Sequence, residues 1–215
     1  MKETERKVLT RKDVEKLFIH HVVIPEGYTE ISYSAFCEDL HISIKIPSSI
    51  NNINKGVFDY CNVAEIIVDE ENKHYSCRKG VLLNKDGTEL IKFPRKREQE
   101  TYIVPAGVMK IGEQAFYCCE ILKHIVLPEG LLKIESGAFI SCINLSKIEI
   151  PYTVEYIEDS AFLGCTGLME IVIPSSVKEI GPFAFGCGVD GIIKCFEGSV
   201  AHKYAFENDM KFELK

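Results

Sequence analysis

The chain has 215 residues, 46% of them hydrophobic, and carries a formal net charge of -7 at pH 7. This composition predicts a single elongated domain with a continuous core and excludes a disordered chain. The acidic balance argues against binding to nucleic acid, because phosphate recognition needs a concentrated basic surface. No run of 18 apolar residues occurs, so we expect no membrane span.

The first 18 residues, MKETERKVLTRKDVEKLF, are interpreted as an N-terminal capping segment. Thr10 to Asp13 resembles a helix start, and Val14, Leu17 and Phe18 would share one stripe of a helix over 11–18. The segment lacks the apolar centre of a secretory signal, which predicts a cytoplasmic protein. A cell-surface location is the alternative if the chain leaves the cell by another route or is a fragment.

A block of about 23 residues repeats between residues 19 and 198. It reads Leu-x-x-Ile-x-Ile-Pro, then a few polar residues, then Val-x-x-Ile-x-x-x-Ala-Phe-x-x-Cys. A fixed period of this length indicates a solenoid, in which each unit buries its apolar face only by stacking on copies of itself. The prolines that mark the four most regular blocks are Pro105, Pro128, Pro151 and Pro174.

Each block predicts one short strand and one turn. In LKHIVLP (122–128), Ile125 and Leu127 share one face of the strand, and His124 and Val126 share the other. Proline ends the strand because it has no N–H to donate to the ladder. We expect the strands to form one curved parallel sheet, with the Ala-Phe segments as helical turns on the opposite side. The repeat phenylalanines should form a column: Phe36, Phe58, Phe116, Phe139, Phe162 and Phe185.

The repeat is interrupted after residue 68. Two apolar runs flank Lys85, Asp86 and Gly87, a composition that favours a tight turn with glycine at positive φ. We interpret 72–98 as a hairpin insert that protrudes from the solenoid. Residues 199–215 are interpreted as a C-terminal cap, with a helix start at Ser199, a helix around 200–208 and a strand near 211–214.

The cysteines follow the repeat. Of the nine, four lie three residues after a repeat phenylalanine: Cys61, Cys119, Cys142 and Cys165. We therefore predict free structural thiols, with disulfides or metal binding as the alternative. Cys77 lies beside Arg78 and Lys79, and neighbouring cations favour a reactive thiolate, although an inert surface cysteine is the favoured interpretation.

Motifs for catalysis are missing from the sequence. It contains no zinc spacing, no HExxH, no glycine-rich phosphate loop and no Gly-x-Ser-x-Gly elbow. We accordingly predict no catalytic residue, no metal ligand, no cofactor and no enzymatic activity.

The outward face of the predicted sheet supplies the candidate binding residues. Its central column is largely aliphatic and its margins are charged, a pattern suited to a protein or peptide partner. The high strand propensity of β-branched residues is the alternative explanation for the aliphatic positions. The candidate partner-binding residues are Val23, Lys45, Ile67, Ile103, His124, Val126, Lys147, Glu149, Glu170 and Val172.

The repeats resemble the leucine-rich repeats of the BspA-like, Treponema pallidum-type class. The resemblance rests on IPSSVKEIGPFAFGCG (173–188), LPEGLLKIESGAFISC (127–142) and IPYTVEYIEDSAFLGC (150–165), and it extends over about 19–215. It implies an α/β leucine-rich repeat solenoid and a binding or adhesion role, often at the surface of gut and oral bacteria or anaerobic protists. We therefore predict a monomeric protein-interaction module that uses its sheet face or its insert. The alternative is a cell-surface adhesion or structural protein that binds host matrix or other cells.

Overall fold

A computed structural model describes residues 6–17, 20–33, 35–36, 40–59, 61–186 and 191–215. Within these residues the chain forms nineteen strands and two helices. It divides into two compact units. The first comprises Met1–Gly87 and Ile91–Arg97, and the second comprises Thr88–Leu90 and Glu98–Lys215.

The first unit is built from short parallel strands. Strands β1, β3 and β5 form one parallel sheet, and β2, β4 and β6 form another. The elements in chain order are β1 (Val8–Leu9), α1 (Arg11–Val14), β2 (His21–Val23), β3 (Glu30–Ile31), β4 (Leu40–Ile46), β5 (Asn52–Ile53), β6 (Asn62–Val68), β7 (Tyr75–Arg78) and β8 (Val81–Asn84). The next strand, β9 (Glu89–Lys92), has its first two residues in the second unit and its last two in the first.

Helix α1 is shorter than the sequence predicts. The Thr10 backbone N–H and hydroxyl both donate to the Asp13 carboxylate, at 3.0 and 2.7 Å, and the hydrogen bonds from Thr10 hold the Asp13 pKa below its usual value. After Val14 the N–H groups of Lys16 and Leu17 bond three residues back, so the helix tightens and ends. The predicted position Phe18 lies outside the described residues.

The insert contains two tight turns, of which the sequence predicted the second, at Gly87. Strands β7 and β8 are antiparallel, and Lys79 and Gly80 form a two-residue turn with φ of 49° and 77°. A Cβ on Gly80 would approach the Glu65 and Arg97 side chains to 2.9 Å, so glycine is needed there. The predicted turn is also present: β8 and β9 are hydrogen-bonded neighbours on either side of it, the Gly87 N–H donates to the Asn84 carbonyl at 3.1 Å, and Gly87 has a φ of 72°.

The hairpin of β7 and β8 is packed into the first unit, so the expectation that the insert protrudes is wrong. Val81, Leu82 and Leu83 are fully buried. Asn72, also fully buried, donates its side-chain N–H groups to the Pro47 and Ile50 carbonyls at 2.8 and 2.9 Å. Its side-chain oxygen accepts from two backbone N–H groups of the insert, so every polar atom of this amide has a partner. Asn72 thereby ties the start of the insert to the preceding coil.

The second unit contains the regular repeats. Strands β10, β12 and β14 form one parallel sheet; β11, β13, β15 and β17 extend another from Glu89–Leu90 of β9; and β16, β18 and β19 form a third. The elements in chain order are β10 (Thr101–Ile103), β11 (Lys110–Ile111), β12 (His124–Val126), β13 (Lys133–Ile134), β14 (Lys147–Glu149), β15 (Tyr156–Ile157), β16 (Glu170–Val172), β17 (Glu179–Ile180), β18 (Ile192–Cys195), α2 (Val200–Glu207) and β19 (Phe212–Leu214).

The expected helical turns opposite the sheet are hydrogen-bonded turns and not helices. In the second unit the coil around Phe139 shows why. Gly137 and Ser141 have positive φ, 62° and 57°, so the right-handed conformation cannot continue past them. The N–H groups of Phe139 and Ser141 donate to the next coil at 2.8 Å, which removes them from any helical ladder. In the described parts of the chain, the only helices are α1 and α2.

The predicted column of phenylalanines is present in each unit. In the first unit, Phe36 and Phe58 stack with ring centroids 5.8 Å apart. In the second, the centroids of successive rings from Phe116 to Phe185 are 5.0, 5.0 and 5.2 Å apart and the ring planes are within 16° of parallel. All six rings are buried. The Tyr204 ring of α2 meets Phe185 edge-on at 5.9 Å and covers that end of the column.

The cysteine ladder lies beside this column. The Cys142 and Cys165 thiols donate to the Phe116 and Phe139 carbonyls at 3.0 and 3.1 Å. Burial raises the pKa of Cys142, and a hydrogen bond with Cys142 together with burial raises that of Cys165. The seven described cysteines are free thiols, whereas Cys37 and Cys187 lie outside the described residues. Cys142 and Cys165 therefore fill the core and hydrogen-bond the backbone of the adjacent coil.

Replacing Phe139 with alanine should lower the free energy of unfolding by about 3–5 kcal/mol, because Phe139 is stacked on both faces. Urea denaturation followed by circular dichroism measures the loss. The matched control is Phe206→Ala, a ring that is 73% exposed on α2, and it should change stability by about 0.5 kcal/mol or less. Equal losses in the two variants would contradict the column as the core of the second unit.

Iodoacetamide applied to the native protein near neutral pH should modify the half-buried Cys77 and Cys118 at least about 100-fold faster than Cys142 and Cys165. The two buried thiols need both exposure and ionisation to react, and burial disfavours both. Peptide mapping by mass spectrometry gives the rate at each site. Rapid native modification of Cys142 would show that the ladder opens to solvent.

Candidate functional site

The outward face of the first unit carries three of the predicted residues side by side. Val23 of β2 pairs with Lys45 of β4, which pairs with Ile67 of β6. Val23 is 57% exposed and Ile67 is 37% exposed. In the neighbouring row, the His21 ring nitrogen Nδ1 lies 3.0 Å from the hydroxyl oxygen of Ser43.

The corresponding face of the second unit lies on β10, β12 and β14. Ile103, Val126 and Glu149 are paired in register across the three strands. Their neighbours in the strands, Tyr102, Ile125 and Ile148, are buried, and the alternation of a strand therefore turns the paired residues to solvent. Ile103 is 68% exposed and Val126 is 51% exposed. A second outward row contains Thr101, His124 and Lys147.

An open groove of about 770 Å³ lies on this face. Four predicted residues line it: His124, Val126, Lys147 and Glu149. Ile103 lies on the adjacent strand, paired with Val126. Glu170 and Val172 are on β16, which lies next to β14, and the groove lining does not include them.

Two groove residues were missed by the sequence analysis. Glu129 and Tyr152 follow the strands in successive coils and occupy equivalent positions 23 residues apart. The Thr153 hydroxyl accepts from the Gly130 N–H at 3.2 Å and donates to the Leu131 carbonyl at 2.7 Å, which holds the two turns together. The 23-residue spacing alone places Glu129 and Tyr152 in one column. Both residues lie just beyond the strands, where the alternation of apolar and polar residues gives no signal.

The charged side chains in the groove are only weakly paired. Lys147 Nζ lies 3.1 Å from Glu149 Oε1, and the two side chains are 66% and 80% exposed. An exposed pair of this kind contributes only about 0–1 kcal/mol. The side chains of Glu129, His124 and Tyr152 make no hydrogen bond or ion pair with any residue that the structure describes. These side chains are therefore available to an incoming ligand.

The charges on β16 and β18 are more tightly paired. Lys194 Nζ lies 2.8 Å from Glu170 Oε2 and 3.6 Å from Glu213 Oε2. The hydrogen bond from Lys194 to Glu170 raises the pKa of Lys194 above its usual value. Val172, between these charged residues, is half-buried. This part of the face offers less apolar surface than β10 and β12.

A second hollow, of about 470 Å³, lies beside β13, β15 and β17. Glu158 binds Lys133 at 2.6 Å and accepts a hydrogen bond from the Ser136 backbone at 3.0 Å. Burial acts to raise the Glu158 pKa, but these contacts outweigh it and lower the pKa. Lys133 and Glu158, which both line this hollow, are thus paired with each other.

No group of three or more His, Cys, Asp or Glu residues among the described residues could hold a metal ion. In the same part of the chain, no helix is long and apolar enough to cross a bilayer.

Solved structures with a similar fold come from bacteria. The pneumococcal vaccine antigen PcpA is 19% identical, with a TM-score of 0.70; the match covers 91% of this chain and 68% of that one. A leucine rich cell surface protein from Faecalibacterium prausnitzii A2-165 is 24% identical, with a TM-score of 0.63 over 91% of this chain. The match covers 64% of that protein, so the chain spans less than two thirds of its length. No curated protein matches the chain.

The family comparison agrees with the repeat and with the fold. The model of the BspA type leucine rich repeat region matches residues 14–99 and 91–213, with six copies of the repeat. These matches span most of the described strands and include the whole groove. The chain belongs to the BspA-type leucine-rich repeat family.

Proposed function

We propose that this chain is a non-enzymatic protein-interaction module that binds a protein or an extended peptide on the outward face of β10, β12 and β14. The observation that carries the proposal is the groove of about 770 Å³ on that face. Val126 at 51% exposure and Tyr152 at 65% give it apolar surface, and charged side chains surround them. An apolar patch with a polar rim is typical of interaction sites.

The arrangement of charge supports binding over catalysis. Lys147 and Glu149 pair with each other, and His124 and Glu129 extend from different ends of the groove wall into solvent. A catalytic site brings a nucleophile or base against an orienting group within a sheltered pocket. An open face with spread charges instead suits contact with an extended chain.

A cell-surface adhesion role is the second candidate. It is supported by the structural relative from Faecalibacterium prausnitzii, whose name describes a cell surface protein. In that role the same groove would contact a host matrix protein or another cell, and the module would act outside the cytoplasm. The hairpin of β7 and β8, with Arg78 and Lys79 exposed at its turn, is a further contact region in either role. A monomer suffices for both.

Capture experiments separate the two candidates. The immobilised protein is incubated either with a lysate of the source cell or with host extracellular matrix, and bound proteins are identified by mass spectrometry. The intracellular role predicts a specific partner from the lysate, and the adhesion role predicts one from the matrix. A partner counts only if its capture depends on the groove.

Val126→Lys should weaken binding of that partner at least about tenfold, because a charge would replace apolar contact at the centre of the groove. Binding is measured by surface plasmon resonance with the captured partner. The matched control is Phe206→Lys on α2, which places the same charge on an exposed apolar residue outside the groove and should leave binding unchanged. Unchanged binding by a folded Val126→Lys variant would reject this face as the site.

A further inference from the structure

We propose that the groove selects a basic partner: an extended peptide segment that presents Lys or Arg together with apolar side chains on one face. This inference rests on the proposed function and specifies the chemistry of its partner. The positions of two acidic and two apolar residues carry it. They are Glu129, Glu149, Val126 and Tyr152.

These four side chains form a square across two coils. Val126 pairs in register with Glu149 on the neighbouring strand. Glu129 follows the first of these strands and Tyr152 follows the second, at equivalent positions of the repeat. Each carboxylate therefore has an apolar neighbour both along its own coil and on the adjacent coil. The spacing of coils is roughly 4.8 Å, so the members of each pair on adjacent coils are close neighbours.

A Lys or Arg side chain fits this square better than a neutral one. Its aliphatic stem would cover Val126, and its cationic end would reach the carboxylates. Glu129 has no ion-pair partner in the described chain, and Glu149 has only the exposed contact with Lys147. The Tyr152 ring, 65% exposed, offers a face to the same cation. Because Arg matches carboxylates with a planar fork and stacks on aromatic rings, it should bind more tightly than Lys.

The same face also offers apolar contacts to the peptide side chains that flank the cation. Ile103, 68% exposed, is paired with Val126 on the next strand and extends the apolar surface away from the carboxylates. A peptide that crosses the strands would present alternate side chains to this surface, because an extended chain turns every second residue to one side. A segment with Lys or Arg two residues from an apolar side chain can therefore contact Ile103 and the acidic square together.

An acidic partner fits less well. The cationic member of the lining is Lys147, which lies on the other margin of the groove beside His124 and already contacts Glu149. The chain as a whole carries a net charge of -7, which adds a long-range attraction for basic partners and a repulsion for acidic ones. Local and overall charge therefore favour the same partner.

The test uses three fluorescein-labelled hexapeptides with blocked ends and the sequence Ser-Val-Ser-X-Ser-Val, in which X is Arg, Gln or Glu and lies on the same side of the extended chain as both valines. Fluorescence anisotropy at low and high salt gives the affinity of the full chain for each. The Arg peptide should bind at least about tenfold more tightly than the Gln peptide, the Glu peptide should bind least, and added salt should reduce the difference.

Charge variants locate the effect. Glu129→Gln and Glu149→Gln should each weaken binding of the Arg peptide by about threefold to tenfold, since each removes one carboxylate from the square. Lys147→Gln should strengthen binding of the Arg peptide about twofold, because Lys147 would no longer compete with the peptide for Glu149. Glu197→Gln, an exposed carboxylate of the same unit outside the groove, is the matched control and should have no effect.

The outcomes distinguish this inference from the proposed function. Equal binding of the Arg and Gln peptides, or unchanged affinity in both Glu variants, would overturn the preference for a basic partner. The Val126→Lys variant would still test whether this face is the binding site. Failure of every peptide to bind would also overturn it. A captured partner whose binding depends on Val126 but not on Glu129 or Glu149 would sustain the function and reject the charge selection.

Discussion

The stacking of identical rings at the spacing of the coils is the constraint on which the second unit depends. The centroids of Phe116, Phe139 and Phe162 are 5.0 Å apart, close to the roughly 4.8 Å that separates hydrogen-bonded strands. The two contacts reinforce each other, because a coil of a different length would shift its ring and its strand relative to the neighbouring coil. The 23-residue spacing is therefore held by packing and by hydrogen bonds together. Its consequence for function is that outward side chains also align, so that Val126 and Glu149 become neighbours.

This constraint explains which features the sequence revealed. The ring columns, the strand positions and the thiol ladder recur with the repeat, so the pattern of one coil predicted the next. The turns opposite the sheet were misjudged because Gly137 and Ser141 adopt positive φ and their segment bonds to the adjacent coil, which no local propensity reports. Composition predicted the turn at Gly87, but it gave no sign of the earlier turn at Lys79 and Gly80. Gly80 is required by its close approach to the Glu65 and Arg97 side chains, which belong to other segments of the chain.

Where the repeat stops in the first unit, buried polar contacts replace the ring column. Asn72 satisfies the Pro47 and Ile50 carbonyls at the start of the hairpin, and Lys92 pairs with Asp59 at 3.5 Å with both side chains more than 90% buried. Burying polar groups is costly unless each has its partner, and such contacts therefore fix one arrangement of the chain against others. These polar contacts hold the insert together with the buried side chains of Val81, Leu82 and Leu83, and apolar periodicity does not report the polar part.

The alignment of side chains in successive coils produces two kinds of column. Some columns stabilise the stack of coils, and others are free to bind a partner. Along β11 and β13, Lys110 contacts both Glu89 and Glu135 at 3.0 and 3.4 Å, so charges from successive coils neutralise one another. The column of Ile103, Val126 and Glu149 has no such complementarity, and the column of Glu129 and Tyr152 pairs a carboxylate with a ring. Side chains that neither enter the core nor pair across coils contribute little to the fold. Their identity can therefore vary from coil to coil without disturbing the stack, and this freedom allows a regular scaffold to carry a groove with a defined charge preference.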